Sequence, residues 1–136
     1  MKKIVYLFGL ILLGMTTSCQ SDKAKEEKLA TEVLDLHDEV MPKMQDIMKM
    51  KKELIKVKSG LDSNSVEIKN IHQMLSALEK ADKDMMDWMH AYNGGQGLYT
   101  HEEIMGYLQK EKEKMQQIKD ETWKALDDAH IYLEKK

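Results

Sequence analysis

Four aliphatic residues, Val33, Val40, Ile47 and Leu54, recur at every seventh position through "TEVLDLHDEVMPKMQDIMKMKKEL". Two turns of α-helix take up about seven residues, so such a row lies along one side of a helix, whereas on a strand it would alternate between faces. Leu29, Leu36, Met50 and Val57 form a companion row that Lys43 interrupts. The two rows make one apolar stripe and predict a helix from about residue 23 to 58. Pro42 falls inside it. Proline lacks the backbone donor and crowds the preceding turn, so a kink is expected there, with a small groove beside it.

The pattern breaks at "SGLDSNSVE" and again at "NGGQGLYT". Gly60 is a natural stop, because glycine accepts the left-handed conformation that ends many helices. Asn64 with Glu67, and Thr100 with Glu103, have the spacing of capping boxes. Between the breaks a second helix is predicted at about 65–92, with rows Ile71, Leu78, Met85, Tyr92 and Ile68, Leu75, Asp82, Met89. Met74, Ala81 and Trp88 widen this stripe. A third helix is predicted at about 101–134, its stripe running from Ile104 and Leu108 through Glu111, Met115, Ile118, Thr122, Ala125 and Ala129 to Tyr132. Short connections favour antiparallel neighbours. The expected fold is all-α: an antiparallel up-down-up three-helix bundle over residues 26–136 with coiled-coil-like packing. Its core is rich in methionine, which fills gaps flexibly and specifies packing loosely.

The first residues, "MKKIVYLFGLILLGMTTSCQSDK", have the plan of a secretory signal: two lysines, an apolar run too short to cross a bilayer comfortably, then small polar residues. The only cysteine, Cys19, stands where cleavage is expected, and "LLGMTTSC" resembles a bacterial lipobox. The expectation is a signal peptide at 1–18 and a lipidated Cys19 with a polar tether at 19–25. Loss of Lys2 and Lys3 with the signal takes the formal charge from -3 to about -5. All 21 basic residues are lysine. Without arginine there is no bidentate grip on phosphate or guanine, and with an acidic balance nucleic acid is not expected as a partner.

Two side-chain groups invite a chemical reading. Folding the last two helices about residue 96 sets Asp82 opposite Glu111, and folding the first two about residue 61 brings Lys43 within a turn of them. A polar layer of Lys43, Asp82 and Glu111 would fix register, as buried polar residues do in coiled coils. A carboxylate pair for acid–base work or a hard metal is the rival reading, but no nucleophile or histidine motif accompanies it. The same folding sends His37, Met41, Met85, Met86, Met89, His90, His101 and Met105 toward the end that holds "NGGQG". Thioether and imidazole suit copper(I), which is soft. Packing accounts for Met85 and Met89 equally well, since both lie on rows that the bundle must bury. Trp88 is expected in the core, and Trp123, at the flank of its stripe, as an anchor for a partner protein.

"LHDEVMPKMQDIMKMKKEL" together with "ADKDMMDWMHAY" resembles small lipoproteins of flavobacterial-type bacteria labelled viral A-type inclusion protein-like. The resemblance covers the signal, most of the first helix and the end of the second. It implies an outer-envelope location and supplies no catalytic residues. The functional expectation is a non-enzymatic helical module, lipid-anchored to the cell envelope at its outer membrane, that binds or spaces other envelope proteins. A copper(I)-binding or buffering lipoprotein is the alternative.

Overall fold

The computed structural model of the chain describes residues 16–62 and 65–136, with side chains from residue 21 onward. Among the described residues it is all-helical, without strands. The described residues form four helices in order: α1 (Thr16–Val40), α2 (Lys43–Ser59), α3 (Val66–Ala91) and α4 (His101–Glu134). The first two are halves of one rod. Met41 and Pro42 interrupt it, and the Met44 amide reaches back only to the Met41 carbonyl, at 3.2 Å. The heptad row nevertheless passes through the break in phase. Val33 and Val40 before it and Ile47 and Leu54 after it are all fully buried.

The cap of α4 forms as the sequence predicts: the Glu103 amide donates to the Thr100 hydroxyl, and the Glu103 carboxylate accepts from the Thr100 amide. The cap of α3 does not fall on Asn64, which lies outside the described residues. Ser65 takes the role, its hydroxyl accepting from the Ile68 amide. Gly60 ends α2 without a left-handed turn, at φ -95°. The polar tether expected at 19–25 is helical instead, because Asp22 and Glu26 are held against His101 and Leu29 is already buried.

The core has two connected parts. Ile47, Leu54, Ile71 and Leu78 pack with Ala81, Ala125 and Ala129 at one end. Val33, Val40, Met85, Trp88, Met115 and Ile118 fill the other. Ala81, Ala125 and Ala129 supply small side chains to the first part, and Met85 and Met115 supply long flexible ones to the second. Ion pairs mark the levels: Glu32 with Lys112 and Glu39 with Lys119 on α1 and α4, and Lys80 with Glu121 and Glu67 with Lys136 on α3 and α4.

These levels overturn the expected fold point. Partners on α1 and α4 stand 80 residues apart in sequence. The α3–α4 pairs show that the chain does not turn about residue 96. Segment 92–100 runs alongside the first turns of α4 instead. The Tyr92 ring stacks on Tyr107 at 6.2 Å, and the Asn93 amide donates to the Tyr107 hydroxyl at 3.1 Å. Gly95 is buried there at φ +83°, and a Cβ would lie 3.6 Å from the Tyr107 ring. Only glycine holds that conformation without strain.

Candidate functional site

The shifted levels dismantle the expected polar layer. Glu111 is buried, but its carboxylate accepts from Lys114 on its own helix at 2.7 Å. Its neighbour across the bundle is Tyr92, whose hydroxyl is pushed up by burial and then by Tyr107 and Glu111. Lys43 pairs with Asp46, also on its own helix, and sits over the Trp123 ring. That is twelve residues beyond Glu111, or about 18 Å along α4. Asp82 is half-buried beside Lys80, at the level of Glu121, and makes no ion pair among the described residues. Such a layer needs a hairpin that turns about residue 96, and the chain does not make one.

The eight thioether and imidazole candidates do not all meet, for the same reason: His37, Met85 and Met89 gather about Trp88 and the others lie apart. Met85 is fully buried and Met89 packs beside it. His37 lies tilted against Trp88 at 5.7 Å, its Nδ1 at 2.9 Å from the Asp38 carboxylate. Met41, Met86 and His90 are exposed. His101 belongs to the far end of α1, where its Nδ1 is 2.7 Å from Glu26 and its Nε2 is 3.8 Å from Asp22. Met105 lies one turn along α4 from it. His101 and the level of His37 are separated by about 24 Å. Among the described residues no three His, Cys, Asp or Glu side chains converge as a metal site would require. Cys19 lies in α1, with its side chain outside the described ones.

What the fold does assemble is aromatic. His37, Trp88, Tyr92 and Tyr107 form a continuous ladder, with Trp88 stacked on Tyr92 at 4.6 Å and 20°. Trp88 is in the core, as its place in the stripe predicts. A cavity of 440 Å³ opens beside it between α3 and α4, rimmed by Lys80, Asp84, Lys114 and Glu121. Lys80 bridges Asp84 and Glu121, which raises its pKa and lowers that of Glu121.

Trp123 has the opposite setting. It is 38% exposed and forms one wall of a 370 Å³ groove between α2 and α4, beside the Pro42 break. Met50 and Leu126 floor the groove, and Asp46, Asp127 and His130 rim it. Lys43 from α2 and Lys119 from α4 each hold their ammonium 5.8 Å from the ring centroid, within cation–π reach. The apolar pattern points to Trp123 and to the kink at Pro42 but not to Lys119. The spacing of Lys119 to Trp123, four residues along one helix, was the available signal.

No family model, curated protein or solved structure matches the chain. Among the described residues no helix is long and apolar enough to cross a membrane.

Proposed function

We propose that this chain is a non-enzymatic helical module of the bacterial cell envelope, anchored through a lipidated Cys19, that binds another envelope protein in the Trp123 groove. One observation carries the reading: a large aromatic side chain is kept partly exposed beside an apolar floor, between two lysines from different helices. Partly exposed tryptophans with an apolar floor and a charged rim are the usual anchors of protein interfaces. The up-down-up arrangement with coiled-coil-like packing belongs to the same reading. It is supported by ion pairs that run in the same order on α1 and α4 and in opposite order on α3 and α4.

The test is affinity capture of the full chain from gently solubilised envelopes, wild type beside Trp123→Ala. A protein retained by wild type and lost with the variant is the expected result. Recovery of the same proteins with both would remove the groove from the proposal, and recovery of none would remove the module reading. Copper(I) binding is the second reading. What supports it is the gathering of His37, Met85 and Met89 about Trp88.

A further inference from the structure

The rod formed by α1 and α2 carries a second apolar stripe, one residue on from the buried one. Leu34, Met41, Met48 and Ile55 follow one another at seven-residue intervals and are 46%, 37%, 57% and 54% exposed. Because the buried row keeps its phase across the Pro42 break, the exposed row also keeps to one face. At about 100° per residue this face lies some 160° around the rod from Lys43 and the Trp123 groove, so it is a separate surface. Four regularly spaced large side chains on an already packed helix are what a further helix would cover.

Charge identifies that helix. Between residues 26 and 39 the rod has six acids and one lysine, and between 43 and 58 it has six lysines and two acids. Asp35, Lys49, Lys52 and Lys56 have no ion-pair partner among the described residues. The rod therefore complements itself when reversed. We propose that two copies of this chain pair antiparallel along this stripe, about a two-fold axis near Gln45. In that register Leu34 meets Ile55 and Met41 meets Met48, each contact occurring twice. The exposed row beside the stripe reads Thr31, Asp38, Gln45, Lys52, Ser59. Reversed, it sets Asp38 against Lys52 and Gln45 against its own copy. A parallel pair would instead set acid on acid and lysine on lysine, and like charges in register are unfavourable.

Disulfide trapping on the full chain in detergent tests the arrangement. Gln45→Cys, on the axis, should give a crosslinked dimer under mild oxidation. Asp38→Cys and Lys52→Cys should each crosslink poorly alone and well when mixed. Crosslinking of all three variants to themselves would mean a parallel pair and overturn the proposal. So would a monomer by light scattering at every concentration together with no dimer from Gln45→Cys. Lys52→Asp should weaken association at least tenfold, and adding Asp38→Lys should restore it. Both changes are on exposed residues and leave the fold intact, which helicity measured by circular dichroism would verify.

Discussion

Single side chains divide sharply here between packing and surface. Met85 is fully buried between α1 and α4, so Met85→Ala should cost about 2–5 kcal/mol in urea unfolding. His90 is exposed, and His90→Ala should change stability by less than about 0.5 kcal/mol. Thermal melts of the same variants with copper(I) separate the two readings of this cluster. Metal-induced stabilisation that disappears with Met85→Ala or His37→Ala would favour the copper site; an equal shift in every variant would exclude it. Thr122 makes a different point. Its side chain is fully buried, yet its hydroxyl finds no partner among the described residues. A buried unsatisfied hydroxyl costs about 1–3 kcal/mol, and valine has the same shape. Thr122→Val should therefore raise the urea midpoint; a lower midpoint would mean that the hydroxyl has a partner after all.

At the scale of elements, helix boundaries were largely legible from sequence. α4 begins and ends at the predicted residues because Thr100 and Glu103 form a complete box and the apolar row stops at Tyr132. All seven buried residues of α4, from Leu108 to Ala129, lie on the stripe read from spacing. The register between helices was not legible. Periodicity fixes which way a side chain faces around its own axis; it does not say how far one helix slides past the next. That was decided by Tyr92, Asn93 and Gly95 settling against Tyr107, which moved Glu111 and His101 away from their expected neighbours. The α4 cap also carries a pH signature. The Thr100 and Tyr99 amides hold the Glu103 carboxyl below its usual range, as Lys112 does for Glu32 and Lys80 for Glu121. A carboxyl with a depressed folded pKa contributes stability that is present above its unfolded pKa. That stability is lost as pH falls through the folded value. Acid titration followed by circular dichroism should show this loss, and Glu103→Gln should shallow it. Thr100→Ala should cost about 1 kcal/mol at neutral pH.

At the scale of the whole molecule, the two proposed surfaces lie on opposite flanks of the rod formed by α1 and α2. The proposed envelope placement rests on Cys19. Cys19→Ser should release the domain to the soluble fraction or leave an uncleaved precursor, and membrane-bound, fully processed protein after that change would contradict the anchor. More than one acyl chain on that cysteine would hold far more firmly than one, so on the proposed anchoring the wild type should stay bound through a high-salt wash.

The clasp of His101 on Asp22 and Glu26 leaves almost no slack behind such an anchor. A flexible leader of n residues sweeps a radius that grows with the square root of n, whereas a helix holds its length. From Cys19 to Lys43, where the Trp123 groove begins, the rod measures about 36 Å. Each copy would thus carry its docking face at a set distance from its own lipid, whichever way it leans. The molecule would act as a ruler, selecting partners by how far from its anchor point they present a matching surface.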